Sequence, residues 1–236
     1  MPIKDRNGCL HSEANGRFIS KNDTDKLKKL ERLYNTHGHL NETEQEAAPL
    51  NQDDKVSKNI EYAVPHGLLQ KREYKEKFSL MAFDSQTADK FYGIAKEILE
   101  HRGGTNGEDI YLYDPISKEI GKGTSGEIAY HPEYDDELKK WFLKHPQNLI
   151  AFHNHARNSP PSFDDIVSAS LRGYSKGFVL CHNGTIYEYT ASSEDFDPKI
   201  YEEAIRSHNF ETNPELIFPD YGFYVKEVRR YVKKRK

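Results

Sequence analysis

Two histidines one residue apart, His153 and His155, are followed by Ser162, Asp164 and Asp165 in the stretch NLIAFHNHARNSPPSFDD, residues 148 to 165. Imidazole and carboxylate are the side chains that bind a divalent transition metal. Side chains alternate along a strand, so histidines at spacing two point to the same side and can share one ion. A third ligand has to come from Asp164 or Asp165, which the turn ARNSPPS brings round. Two histidines and one aspartate, with a fourth position left to water, form the set expected of a catalytic rather than a structural zinc. Such an ion lowers the pKa of its water from 15.7 towards about 7. Hydrolysis then also needs a carboxylate to carry the proton and a donor to stabilise the oxyanion, for which Ser162 is the candidate. The same letters have a plainer explanation. Ser-x-x-Asp ahead of an apolar helix is close to a capping box, in which Ser162 and Asp165 only satisfy backbone donors.

Three elements must position these groups. NLIAFHNH reads as a strand buried on both faces, because Leu149, Ile150, Ala151 and Phe152 are apolar without alternation. SFDDIVSASLRG reads as the helix that follows, with Ser162 as its N-cap. Upstream, SLMAFDSQTADKFYGIAKEILEHRGG offers a capping Asp84 or Ser85, apolar residues at helical spacing, and a terminating glycine pair. GEDIYLYDP follows it as a strand with a turn at Asp114-Pro115. A helix is expected over PEYDDELKKWFLKHP, with the acidic cluster Asp135, Asp136 and Glu137 in its first turn and Trp141 in its core face. KGFVLCHNGTIYEYT is a hairpin around Asn183-Gly184, which makes His182 an ordinary residue before a turn, or else one that lines a substrate cleft. The alternation of helices and strands predicts an α/β fold, a mixed β-sheet flanked by helices.

HNHARNSPPSFDD resembles the signature of the JAB/MPN/JAMM metallopeptidases, which is His-x-His, about seven residues, then Ser-x-x-Asp, with a glutamate upstream on an earlier strand. His153 and His155 match the paired histidines, Ser162 the serine and Asp165 the final aspartate. The resemblance implies zinc held by His153, His155 and Asp165, a glutamate as general base, and Ser162 helping to stabilise the tetrahedral intermediate. The family's glutamate follows the first long helix and opens the next strand. Glu108 has that place, and Glu127 in TSGEIAYHP is its competitor. The turn here is six residues long, Ala156 stands where many members have proline, and Pro160-Pro161 stiffens it. This form looks most like the bacterial and phage-associated branch, including the RadC-like proteins. The implied fold has JAB/MPN-like, cytidine-deaminase-like layering. The implied function is cleavage of a peptide or isopeptide bond in a protein or peptide substrate. The alternatives are a non-catalytic MPN-like protein-binding or phage-structural module and a RadC-like DNA-associated role. The contiguous HNH does not match the HNH nucleases, whose three residues are spread over a ββα-metal fold.

The resemblance covers roughly residues 80 to 190, within an expected domain over 76–192. Residues 1–75 are polar, and apart from a short helix over KLKKLERLY (26–34) they read as a loosely folded arm. Residues 193–236 read as a C-terminal helical extension, from DPKIYEEAIRSHN to a helix-like tail. Both ends are candidate surfaces for a protein partner. Net charge is -4, from 34 Lys+Arg against 38 Asp+Glu, which offers no global field for nucleic acid or acidic lipid. The basic run VKEVRRYVKKRK suits a solvated helix end, or else an anionic contact. Cys9 and Cys181 form no disulfide framework and fit a reducing compartment. No apolar stretch approaches a membrane span, and MPIKDRNGCLHSEANG lacks a signal-peptide core, so a cytoplasmic location is expected. His37 and His39 repeat the spacing of two without a carboxylate-bearing helix after them, and are not expected to bind metal.

Overall fold

The computed structural model describes residues 3–4, 10–11, 55–129, 132–145, 148–191, 198–218 and 222–229. The chain falls into two compact units, Met1–Leu50 and Asn51–Lys236. In the first, Ile3–Lys4 (β1) pairs antiparallel with Leu10–His11 (β2). The helix expected over residues 26 to 34, Cys9, the His37/His39 pair and residues 230–236 of the basic tail lie outside the described residues.

The second unit is organised on one seven-stranded sheet. Its strands are Asp109–Tyr113 (β3), Ile120–Thr124 (β4), Ile150–His155 (β5), Lys176–Cys181 (β6), Ile186–Ala191 (β7), Glu215–Phe218 (β8) and Phe223–Glu227 (β9). The spatial order is β4-β3-β5-β6-β7-β9-β8. Neighbours run antiparallel except β5 and β6, which are parallel. A parallel pair needs a crossover, and the helix Phe163–Arg172 (α4) supplies it. The sheet is therefore mixed, as the alternation of elements predicts, and β5 is buried at every position.

One face of the sheet packs on two helices, Arg72–Met81 (α1) and Ser85–Arg102 (α2). Asp84 caps α2 by accepting the Thr87 N–H at 2.7 Å. Phe91, Ile94 and Ile98 of α2 meet Tyr111, Phe152 and Phe178 of the sheet in one apolar cluster. The Phe91 and Phe152 rings meet edge to face at 4.9 Å, and Phe152 stacks on Phe178 at 5.1 Å. Each such ring buried adds roughly 1.5–3 kcal/mol. The other face carries the alternate residues of β5, and its elements include Asp136–Lys144 (α3), α4 and Pro198–Ser207 (α5).

Both outer boundaries differ from the expected ones. Leu68, Leu69, Tyr74 and Phe78 belong to the core, so the packed chain begins well before residue 76. Tyr74, Phe78 and Met81 form the stripe at i, i+4 and i+7 that buries α1. The charged residues of REYKEK between them hide that stripe from a composition-based reading. At the other end, the expected helical extension is one helix, α5, followed by the edge strand β8 and by β9, which lies between β8 and β7. In β9, Phe223 and Val225 are buried while Tyr224 and Lys226 are partly exposed, a period of two that marks a strand. Among the described residues no helix is long and apolar enough to cross a membrane.

Candidate metal centre

Strand register brings the acidic and histidine residues to one face. Ile110 of β3 lies opposite His153 of β5 in an antiparallel pair. Moving two residues along each chain keeps the same face and sets Glu108 beside His155. On the other side of β5, His153 pairs with Val179 and His155 with Cys181. Gly177 of β6 lies opposite Tyr189 of β7, and a Cβ there would run into the Tyr189 ring. Its absence lets that ring reach across the sheet to meet His153 edge to face, 6.0 Å between centroids.

The ligating atoms converge. His153 Nε2 and His155 Nε2 are 3.1 Å apart. Asp165 Oδ1 is 3.1 Å from His153 Nε2, and Asp165 Oδ2 is 3.4 Å from His155 Nε2. Potential ligand atoms of the three residues all lie within 4.8 Å of one another, so the group could hold a metal ion. His153 and His155 are buried, and the Asp165 side chain is 19 % exposed. Asp164, the other candidate ligand, faces outward at the start of α4.

Neighbours set each donor. The His155 Nδ1 lies 3.0 Å from the Ser159 carbonyl oxygen, which only accepts, so Nδ1 carries a proton and Nε2 is the atom available to a metal. The Ser159 hydroxyl is 2.9 Å from the same nitrogen. Ser162 and Asp165 form a complete capping box. The Ser162 N–H and hydroxyl donate to Asp165 Oδ2 at 2.6 and 2.8 Å, and Ser162 Oγ accepts the Asp165 N–H at 3.2 Å. The capping and metal explanations are therefore both realised by one carboxylate. Ser162 in this arrangement orients Asp165; its hydroxyl proton is not directed at a substrate oxyanion.

The charges are strongly coupled. Burial alone would raise the Asp165 pKa, but the charges and hydrogen bonds of His153 and His155 outweigh it and hold the carboxyl well below its usual range. Burial would lower His155, yet the Asp165 hydrogen bond and charge push it up to about 9. Glu108 is 6 % exposed. Burial pushes its carboxyl up to about 7, against the opposing charges of His155 and His153.

Glu108 sits on a braced loop. Its N–H donates to Ser125 Oγ at 2.9 Å and its carbonyl accepts the Ser125 N–H at 2.7 Å. The next residue, Asp109, is 1 % exposed and accepts from Arg102 Nε at 2.7 Å and from the Thr124 hydroxyl at 2.6 Å. Arg102 also donates to the Ser125 carbonyl at 3.0 Å. Neither Arg102 nor Asp109 stands out in the sequence. The only cue is a basic residue in the last turn of α2, which helix electrostatics already explains. Glu127, the competing glutamate, is exposed on the loop after β4, where its carbonyl accepts the Val56 N–H at 2.9 Å. Asp135 is the N-cap of α3, accepting the Leu138 N–H at 2.8 Å, and Asp136 and Glu137 lie in that helix's first turn. No family model, no curated protein and no solved structure matches the chain.

Proposed function

We propose that the protein is a zinc-dependent hydrolase of the JAB/MPN type that cleaves a peptide or isopeptide bond. The observation that carries this reading is the convergence of His153 Nε2, His155 Nε2 and an Asp165 oxygen on one point, on the same sheet face as a buried Glu108. Two imidazole nitrogens and one carboxylate fit zinc, and three protein donors leave one of its four positions open, as in catalytic sites. Zinc, when bound, supplies Lewis-acid polarisation and lowers the pKa of water at the open position from 15.7 towards about 7.

The chain's own groups divide the remaining work. Ser159 holds the His155 ring so that Nε2 faces the cluster. Ser162 fixes the Asp165 carboxylate through two hydrogen bonds before any ion arrives. Glu108, with its carboxyl near 7, suits taking a proton from the attacking water and passing it to the leaving nitrogen at neutral pH. Support for the oxyanion by Ser162 requires its hydroxyl to leave Asp165 first.

The test uses the full chain loaded with zinc and a mixed peptide library read by mass spectrometry. Stoichiometric zinc with peptide cleavage that Glu108→Gln slows by about 100-fold or more supports the reading. Gentle purification without stoichiometric metal, or cleavage that Glu108→Gln does not slow, would falsify it.

A further inference from the structure

Asn154 stands between the two histidine ligands, so alternation turns its side chain to the opposite face of β5. It is fully buried, at 0 % exposure. Its Oδ1 accepts the Asp109 N–H at 2.9 Å, and its Nδ2 donates to the Gly107 carbonyl at 3.0 Å. These are the residues immediately before and after Glu108. One side chain therefore spans the Glu108 residue from behind, while Ser125 holds the Glu108 N–H and carbonyl from the side. With both flanking peptide groups anchored, the Glu108 backbone has little rotational freedom, and that backbone aims the carboxylate.

Asn154 is itself oriented by His182, which is 1 % exposed. The His182 Nδ1 lies 2.5 Å from the Tyr62 carbonyl oxygen, an acceptor only, so Nδ1 carries a proton. Burial lowers the His182 pKa, and the neutral ring presents Nε2 as an acceptor 3.1 Å from Asn154 Nδ2. Nδ2 then gives its two hydrogens to Gly107 and His182, which leaves Oδ1 as the atom for Asp109. A flipped amide would set donor against donor at Asp109.

We propose that Asn154, oriented by His182, is the positioning residue for Glu108: the middle residue of His-Asn-His fixes the backbone of the general base from the far side of the sheet. The inference rests on the hydrolase reading for what Glu108 does; the clamp itself does not depend on it.

The test compares the zinc-loaded full chain with Asn154→Ser, whose side chain is too short to reach both peptide groups, and with His182→Leu and His182→Gln. In Asn154→Ser, zinc stays at one per chain and the Asp109 amide exchanges about tenfold faster by NMR, since its acceptor is gone. On the best-cleaved library peptide, kcat falls about 100-fold with KM within about twofold. Adding Asn154→Ser to Glu108→Gln costs no further rate, because the two act as one unit. His182→Leu shifts exchange and kcat in the same direction. His182→Gln, whose amide can donate to Tyr62 and accept from Asn154, restores most of both. Loss of zinc in Asn154→Ser, a full additional loss in the Glu108→Gln background, or unchanged Asp109 exchange overturns the proposal. Should Asn154→Ser not fold, the two His182 variants decide it. Failure of the hydrolase reading would look different: the zinc-loaded wild type cleaves nothing, and the clamp is then judged on Asp109 exchange alone.

Discussion

The two ends of β3 each place a histidine among carboxylates, and only one of them gathers a group that could hold a metal ion. At the end that begins with Glu108, His153, His155 and Asp165 direct their ligand atoms to a common point. At the other end His145 lies between Asp114 and Glu119. There the carboxylates address opposite sides of one ring, Asp114 Oδ2 at 2.6 Å from Nδ1 and Glu119 Oε2 at 3.1 Å from Nε2. Trp141 closes over the ring face, stacked at 4.3 Å. The Asp114 carboxylate also accepts from the Ile116 N–H and the Ser117 hydroxyl, so it serves the β3–β4 turn. The residue types are the same at both ends. What differs is whether the donors surround a point in space or surround a side chain.

Breaking each cluster separately gives the largest contrast. His155→Ala should abolish zinc retention, whereas His145→Ala should keep one zinc per chain; elemental analysis after desalting reads both. The Glu108→Gln change comes next. It should leave zinc content intact and lower kcat by about 10² to 10⁴, the range for a lost general base. Equal activity in this variant and the wild type would remove Glu108 from the mechanism. Ser162→Ala should weaken zinc about 10- to 100-fold as the loss of an orienting partner, and lower stability by roughly 0.5–2 kcal/mol as the loss of a cap. A zinc competition titration and a denaturant melt separate these two effects.

Proton competition gives a smaller and graded effect. His155 must shed its Nε2 proton to bind metal, and its pKa in the metal-free protein is about 9. Zinc affinity should therefore rise by up to about tenfold per pH unit below 9 and level off above it. Metal-free stability runs the other way. A histidine raised from 6.5 to about 9 contributes stability that is fully present below 6.5 and is lost as pH rises through 9. Melts of chelator-treated protein between pH 6 and 10 test that sign. The smallest effect is at the other end of β3, where His145→Ala should cost on the order of 1 kcal/mol, the net of its contacts with the buried Asp114 and the exposed Glu119.

The metal set was legible because two local periodicities suffice for it. A spacing of two puts His153 and His155 on one side of a strand, and the Ser-x-x-Asp pattern starts a helix with Asp165 one turn in. Glu108, expected from its place between a helix end and a strand, is buried there. What supports them was not. The Asn106 side chain accepts the Ser57 N–H at 2.6 Å and donates to the Lys55 carbonyl at 3.1 Å, linking residues about fifty positions apart that share no local pattern. The same holds for β9, which joins β7 at the far side of a helix and an edge strand. Non-local pairing of this kind depends on which surfaces remain open after the core forms, and no window of sequence contains that information. Sequence spacing likewise leaves Asp164 and Asp165 equivalent; their placement differs, with Asp165 3.1 and 3.4 Å from His153 and His155 and Asp164 exposed.

That capping box has a consequence for how the site fills. Many small zinc domains are unfolded until their ion arrives, so metal loading and folding are one event. Here the carboxylate that would complete the coordination is already parked against the start of α4, accepting the Ser162 backbone N–H and hydroxyl as part of the capping box. The empty and loaded forms can then share nearly the same backbone, and stripping the ion need not melt the helix. Zinc could then leave and return to a standing frame without the helix refolding.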